Sequence, residues 1–354
     1  MHNKSVGRLA VAPDRRCLFE YDDQWLKNGF SISPFYLPLK PGLFTARYEP
    51  FDGLFGVFDD SLPDGWGTLL IDRWLMKQGI GPASLSRLDR LTLVGRNGMA
   101  ALTYEPCTGP VTVIDSIDIS LMAKEVQKIL KQDYSGNLEL LIQKGESSGG
   151  ARPKVLATIN DEEWLVKFPA ASDPPDIGTL EYQYSDVAKK CNIRMPDTQL
   201  MENRYFGVKR FDRKNGNRIH VHSASGLLYA SFRYPSLDYT ELMKATMAVT
   251  ADINEVAHMF RLMVFNVLTG NRDDHAKNFS YIFDDGRWQV SPAYDLVRSH
   301  GFNGFHSTTI AGEGDPSKED IFKVAEMTSF PKKMATLIFD EVHSACKEIR
   351  MKGW

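Results

Sequence analysis

Gly270-Asn271-Arg272-Asp273-Asp274-His275-Ala276-Lys277-Asn278, followed by Ser291-Pro292-Ala293-Tyr294-Asp295, is the stretch whose spacing selects a fold. An Arg-Asp pair, an asparagine close behind it and a later carboxylate beyond a strand form a pattern suited to phosphoryl transfer. One carboxylate takes a hydroxyl proton, while an amide oxygen and a second carboxylate hold magnesium. Asp273 is the candidate base, and Asn278 and Asp295 are the candidate metal ligands. Hard oxygen donors suit Mg2+, which binds few protein groups and completes its shell with substrate phosphates. His275 and Lys277 either brace the loop or touch the γ-phosphate. Asp and Asn are also common in turns, so the weight falls on what lies upstream.

Upstream, the elements stand in a matching order. Gly145-Glu146-Ser147-Ser148-Gly149-Gly150-Ala151-Arg152-Pro153-Lys154 puts adjacent glycines ahead of a strand. Backbone N–H groups there approach phosphate oxygens without Cβ interference. The spacing is neither a Walker loop nor G-x-G-x-x-G, and a plain flexible loop accounts for the same residues. Pro153 to Ile159 and Glu163 to Phe168 alternate as strands around the polar turn Asn160-Asp161-Glu162. Trp164, Val166 and Phe168 fall on one face, Leu165 and Lys167 on the other. Lys167 ends an apolar strand, as a phosphate-binding lysine does, although surface lysines also occupy such positions. Glu181, on a predicted helix from Thr179 to Lys190, is its candidate partner. Strands near Thr198–Met201 and Tyr205–Phe211 follow. Their end, Lys209-Arg210-Phe211-Asp212, stands where a hinge offers backbone bonds to adenine, with Asp212 near the ribose. An ordinary charged strand end has the same sequence.

From about Ser236 the pattern turns helical. Asp252 to Thr269 sets Ile253, Val256, Ala257, Phe260, Val264 and Val267 on a wide apolar face. Asp252 and Glu255 form a capping-box pattern, and Gly270 takes the C′ place. The Asp273 loop therefore starts from a buried helix whose packing fixes it. At the other end, β-prone runs Leu18–Tyr21 and Met99–Tyr104 flank a helical patch, Gly67–Met76, before a linker at Cys107–Pro110. A helix is also predicted over Ser120 to Lys131. The expected organisation is a small α+β subdomain over 1–110, a sheet-bearing lobe with glycine loop and hinge over 111–235, and a mainly helical lobe over 236–354. Together these make an α+β, two-lobed, protein-kinase-like fold.

Composition narrows the classes further. The formal net charge of −3 and pI near 6.3 provide no polyanion-binding surface, so any DNA association runs through a partner. No stretch approaches the ~20 apolar residues of a membrane span, and residues 1–8 have no signal-peptide core. Cys17, Cys107, Cys191 and Cys346 form no CxxC pair, which fits a reducing cytoplasm and no disulfide framework. A metal-dependent hydrolase is a remote alternative. His220 and His222 would lie on one side of a strand, with Asp273, Asp274, His275, Asp295 and His300 completing a site. Otherwise the two histidines read as partly exposed strand residues.

Over most of its length the chain resembles the HipA family, kinase toxins of bacterial toxin–antitoxin pairs. The family's glycine loop resembles Ser147 to Lys154, with Ser148, Gly149, Gly150 and Ala151 at the nucleotide. Its ATP lysine resembles Lys167, its hinge Lys209-Arg210-Phe211-Asp212, its catalytic loop Asp273 to Asn278 and its metal aspartate Asp295. The amino-terminal unit resembles the family's extra subdomain in Phe58-Asp59-Asp60-Ser61-Leu62-Pro63-Asp64 and Val94-Gly95-Arg96-Asn97-Gly98. The resemblance implies a kinase that uses ATP and Mg2+ to phosphorylate Ser or Thr. It also implies autophosphorylation of a glycine-loop serine, which displaces the loop and shuts the enzyme down. Ser147 matches that position, with Ser148 beside it. A phosphate there carries roughly −1.5 to −2 charges, repels ATP and is drawn to cations such as Arg152. Further implied are a HipB-like helix-turn-helix antitoxin that binds kinase and operator DNA, and targets in translation, often aminoacyl-tRNA synthetases. The helical lobe after Asp295 is expected to be shorter than in the best-known members. An inactive, nucleotide-binding pseudokinase subunit is the alternative from another class; the presence of Lys167, Asp273, Asn278 and Asp295 argues against it.

Overall fold

A computed structural model gives the structure of residues 1, 4–110, 118–133, 136–145, 150 and 152–347. The chain packs as two units. One holds Met1–Ile32, Leu37–Thr179 and Asp197–His220; the other holds Ser33–Tyr36, Leu180–Pro196 and Val221–Trp354.

The first unit begins with an antiparallel sheet of β1 (Gly7–Val11), β2 (Cys17–Tyr21) and β3 (Leu43–Thr45), in that order. Alternation in β2 turns Cys17, Phe19 and Tyr21 inward. Phe19 meets Tyr21, Phe55 and Phe58 at centroid distances of 4.8, 6.4 and 5.3 Å. Helices α1 (Asp23–Asn28), α2 (Gly56–Asp59), α3 (Gly65–Lys77) and α4 (Arg87–Val94) follow. The run Met99 to Tyr104 does not form the expected strand. Ala100 sits at φ 59°, and side chains rather than a neighbouring strand satisfy this backbone. Asp212 accepts the Ala100 N–H at 2.7 Å. Arg218 donates to the carbonyls of Arg96, Gly98 and Ala100 at 2.6, 3.2 and 3.4 Å.

Helices α5 (Ile119–Leu130) and α6 (Leu138–Gly145) precede a second sheet of β4 (Lys154–Ile159), β5 (Glu162–Lys167), β6 (Thr198–Met201) and β7 (Tyr205–Lys209). Its order is β4-β5-β7-β6. Asn160 and Asp161, at φ 51° and 61°, supply the left-handed turn whose twist matches a hairpin. Trp164, Val166 and Phe168 enter one core with Val155, Ala157, Met201, Tyr205 and the helical residues Trp66, Leu70, Val126 and Leu141. Burial of each large side chain contributes about 1.5–3 kcal/mol. A one-residue slip of β5 would turn all three outward, so this face fixes the register that places Lys167. The short pair β8 (Arg213–Lys214) and β9 (Asn217–Arg218) closes the unit.

The second unit contains α7 (Ile177–Lys190), which starts at the boundary, and β10 (His220–Ser223), α8 (Ala224–Leu228) and β11 (Leu237–Asp238). These are followed by α9 (Tyr239–Thr250), α10 (Ile253–Thr269), β12 (Ser280–Asp284), β13 (Arg287–Val290) and β14 (Thr308–Thr309). The unit ends with α11 (Lys318–Met327) and α12 (Lys332–Ala345). β10, β12 and β13 form one sheet, while β11 and β14 pair in parallel. Val256, Phe260 and Val264 of the expected α10 face are buried, joined by Met259, Leu262, Met263 and Phe265, so the helix is wrapped on most sides. Ile253 in its first turn is exposed.

Two expectations are corrected in this unit and at its boundary. Asp252 caps α10 by accepting the Asn254 N–H at 2.8 Å, but Glu255 does not complete a capping box. Its carboxylate turns to Arg194 and to the Val290 N–H, partners remote in sequence. His220 and His222 are not partly exposed; they are 2% and 0% exposed. His220 Nε2 lies 2.8 Å from the Ile32 carbonyl, and His222 Nε2 lies 3.0 Å from Ser33 Oγ. Among the described residues no group of three His, Cys, Asp or Glu side chains is arranged to hold a metal. No helix among them is long and apolar enough to cross a membrane.

Candidate active site

The catalytic loop starts where α10 stops. Gly270, at φ 68°, donates its N–H back to the Asn266 and Val267 carbonyls, a left-handed C-terminal stop that favours glycine. Asn271 then donates its N–H to the Asn266 carbonyl at 2.9 Å, and its buried side chain donates to Asn266 Oδ1 at 3.0 Å and the Asp295 carbonyl at 3.4 Å. Next come two aspartates with opposite surroundings. Asp273 is exposed. Asp274 is 0% exposed.

The remaining loop residues fold into a short 3-10 turn, Ala276–Asn278. His275 Nδ1 accepts the Lys277 N–H at 3.2 Å, so His275 braces this turn and carries its ring proton, when neutral, on Nε2. The Lys277 ammonium lies 4.1 Å from the centroid of the Phe232 ring, a cation–π contact. Asn278 Nδ2 donates to the Asp273 carbonyl at 2.5 Å. That bond commits the amide nitrogen, leaving Oδ1 as the side-chain atom suited to a cation.

The segment bearing Asp295 is bound to the same loop. Tyr294 Oη donates to the Lys277 carbonyl at 2.6 Å and lies 2.5 Å from Ser280 Oγ. The Ala293 N–H reaches the Arg194 carbonyl at 2.7 Å. Asp295 itself occupies φ 54°, a left-handed conformation that costs a non-glycine residue energy and that these neighbouring bonds hold in place. Asp273, Asn278 and Asp295 thus stand on one hydrogen-bonded framework of the second unit. The Asn278 amide oxygen and the Asp295 carboxylate are hard donors of the kind that suits a magnesium ion.

Of the residues expected at the nucleotide, Lys167 and Lys209 to Asp212 belong to the first unit, His275 and Lys277 to the second. Lys167 is buried in the centre of the sheet, directly opposite Lys154 on β4 and Phe206 on β7. Its ammonium is 5.4 Å from the Phe206 ring centroid. Lys154, where the expected glycine loop ends, therefore faces Lys167 across the two strands. Ser147, Ser148, Gly149 and Ala151 lie outside the described residues. Gly150, at φ 96°, donates its N–H to Asp64, and its carbonyl accepts the Trp66 N–H at 3.2 Å. A Cβ on Gly150 would stand 2.7 Å from Lys154 Nζ. Arg152 pairs with Asp173 at 3.0 Å.

At the expected hinge, Arg210 continues the pairing with its N–H on the Glu163 carbonyl at 2.8 Å. Lys209 Nζ forms an ion pair with Glu162 at 2.5 Å, and Phe211 is half-buried. Asp212, 3% exposed, accepts Arg210 Nε at 2.9 Å, Arg210 Nη2 at 2.7 Å, Arg213 Nη1 at 2.7 Å and the Ala100 N–H. Burial alone would raise its pKa, but Arg210, Arg213 and the Ala100 N–H lower it to about 2. Asp64, Ala100 and Arg218, which fasten the amino-terminal segments to the glycine loop and hinge, were not picked out as functional. No local pattern marks such long-range bonds, although Asp64 and the loop before Ala100 lie in or next to the two family-like segments.

Residues 1–105 match the HipA N-terminal domain, and residues 146–349 match the HipA-like C-terminal domain. The chain belongs to the HipA family. Y4mE of Sinorhizobium fredii is 33% identical over 322 residues, covering 79% of this chain and 71% of its own. The serine/threonine-protein kinase toxin HipA of Shewanella oneidensis is 22% identical over 345 residues, covering 86% and 76%. A solved structure of the Shewanella oneidensis MR-1 toxin–antitoxin system, containing HipA, HipB and operator DNA, aligns with a TM-score of 0.74 at 19% identity. It covers 99% of this chain and 89% of that one. This likeness establishes a shared kinase-like fold.

Proposed function

We propose that the chain is a serine/threonine protein kinase, the toxin of a toxin–antitoxin pair. The observation that carries this reading is the framework joining Asp273, Asn278 and Asp295, with Asp273 exposed at its surface. ATP with Mg2+ would supply the transferable γ-phosphoryl group and the cation that neutralises its charge. Asp273 accepts the proton of a substrate serine or threonine hydroxyl and orients its oxygen. Asn278 Oδ1 and the Asp295 carboxylate hold the metal. Lys167 and Lys154 bind phosphate oxygens, and Ser148 to Ala151 are the proposed phosphate-binding glycine loop. Backbone groups from Lys209 to Phe211 receive the adenine, and Asp212 shapes that strand end. His275 and Lys277 brace the catalytic turn.

The same reading assigns Ser147, or Ser148 beside it, as an autophosphorylation site. A HipB-like helix-turn-helix protein is the proposed antitoxin, as in the HipA–HipB–DNA complex whose fold this chain shares, and it would supply the DNA contact that a net charge of −3 does not favour. A component of translation, such as an aminoacyl-tRNA synthetase, is the proposed target, and the cytoplasm the proposed location.

The test is to incubate purified protein with Mg·ATP, read its intact mass and map any phosphate by peptide mass spectrometry. Asp273→Ala, prepared in parallel, controls for phosphate added by the expression host. New phosphate on Ser147 or Ser148 in the wild type alone is the expected result. Absence of both self-modification and ATP binding would overturn the kinase reading.

A further inference from the structure

We infer that Asp274 is a positioning residue for phosphoryl transfer, fixing the chain after Asp295 against the catalytic loop so that Asp273 is held in place. This rests on the kinase reading of the Asp273 site. Although it adjoins the exposed Asp273, Asp274 is wholly buried, and nothing in the chemistry assigned above uses it.

The Asp274 carboxylate is saturated. Oδ1 accepts the N–H groups of Ser307 and Thr308 at 2.9 and 3.3 Å. Oδ2 accepts Tyr239 Oη–H at 3.0 Å and pairs with His306 Nδ1 at 2.8 Å. The Asp274 carbonyl accepts Thr308 Oγ1–H at 2.5 Å. Three consecutive residues, 306 to 308, are therefore fastened to one loop residue. The Arg272 carbonyl adds bonds from Ser307 N–H and Oγ–H, both at 3.1 Å. Farther back, Ser299 donates its N–H to the Gly270 carbonyl at 3.1 Å. The segment from Ser299 to Thr308 is thus tied at both ends to Gly270, Arg272 and Asp274, which flank Asp273.

A second path leads from Asp274 toward the metal aspartate. Asn266 Nδ2 donates to Tyr239 Oη at 2.9 Å, Asn271 Nδ2 to Asn266 Oδ1, and Asn271 also reaches the Asp295 carbonyl. Burial and the Asp274 charge both raise the Tyr239 pKa, so its hydroxyl keeps the proton it gives to Asp274. A saturated buried carboxylate can have only one donor arrangement around it, which makes it a rigid pin. If Asp274 merely stabilised the fold, its loss would lower the unfolding midpoint and leave turnover of the remaining folded protein intact.

Asp274→Asn keeps the volume but places an amide donor against existing donors. The expected result is a turnover about 100-fold lower, with ATP affinity changed by less than about threefold. Hydrogen exchange at the Ser307 and Thr308 amides should rise about tenfold or more relative to α10. Turnover within about threefold of wild type overturns the inference. Should the Asn variant fail to fold, Tyr239→Phe removes one donor to Asp274, together with the acceptor of Asn266 Nδ2, and is expected to slow turnover about tenfold at unchanged ATP affinity. Unaltered turnover in Tyr239→Phe would likewise overturn it. If wild-type protein transfers no phosphate to itself or to a general protein substrate, the kinase reading fails separately. Exchange at residues 306–308 then decides the positioning role alone: equal protection in the wild type and the folded variant overturns it.

Discussion

Glu255 grips Arg194 with both carboxylate oxygens, Oε1 to Nη1 at 2.8 Å and Oε2 to Nη2 at 2.5 Å. Oε2 also accepts the Val290 N–H at 2.8 Å, and Arg194 Nη2 donates to the Val290 carbonyl at 3.2 Å. One side chain from the first turn of α10 thereby holds the end of β13, five residues before Asp295. Arg194 is 41% exposed in its side chain, so solvent recovers part of what the pair loses when broken. Glu255→Ala is expected to destabilise the protein by about 1–3 kcal/mol, chiefly through the buried Val290 N–H left without an acceptor. Urea unfolding measures this; a change below about 0.5 kcal/mol would assign the bond no structural weight.

Asp212 gives a pH signature. Its folded pKa, about 2, lies below the ordinary carboxylate value near 3.9. The stability it contributes is therefore present above about pH 4 and lost as pH falls through about 2. Asp212→Asn should remove that component of acid destabilisation, so wild-type and variant stability curves converge as pH drops from 4 toward 2. At pH 7 the variant should be weaker by about 3 kcal/mol or more, because Arg210 and Arg213 lose a buried counter-charge. A parallel offset at every pH would exclude the linkage.

Asp273 and Asp295 should separate chemistry from metal binding. Asp273→Ala removes the base and not the phosphate grip, so turnover is expected to fall about 10²–10⁴-fold with ATP affinity retained. Asp295→Ala should instead weaken the magnesium dependence of nucleotide binding. Titrations with ATP, with and without Mg2+, tell the two apart. Normal magnesium-dependent binding by Asp295→Ala would remove it from the metal site.

Lys154 offers a check on the facing-lysine geometry. Lys154→Met and Lys167→Met should each weaken ATP binding about 10- to 100-fold, the scale of a lost hydrogen bond to a charged group. On the proposal that both hold one polyphosphate, the double variant should lose less than the sum of the two. Additive losses would mean independent roles for the two ammonium groups.

Much of this was legible in the sequence, for a local reason. The period-2 alternation of Trp164, Val166 and Phe168 decides which way Lys167 points, and Asn160 and Asp161 supply the turn between strands. Gly270 ends α10 because a left-handed stop favours glycine there. The kinase-like fold follows from such signals read in order. Other features depended on partners far along the chain. Glu255 has the spacing of a capping residue, yet Arg194, 61 residues away, offers a charged fork that a cap does not. Met99 to Tyr104 has strand propensity, but Asp212 and Arg218 hold its backbone in another shape. His220 and His222 read as partly exposed strand residues, yet the fold buries both, beside Ile32 and Ser33.

The pair Asp273-Asp274 separates the two sources most clearly. The sequence by itself determined that two carboxylates follow a helix stop and precede an asparagine, because residue identity and spacing are local. It also determined the strand that carries Lys167. Which carboxylate faces solvent was decided only by tertiary structure, through Tyr239, His306, Ser307 and Thr308, which converge on Asp274 from 30 or more residues away. A buried charge must find such donors, and only the folded chain brings them together.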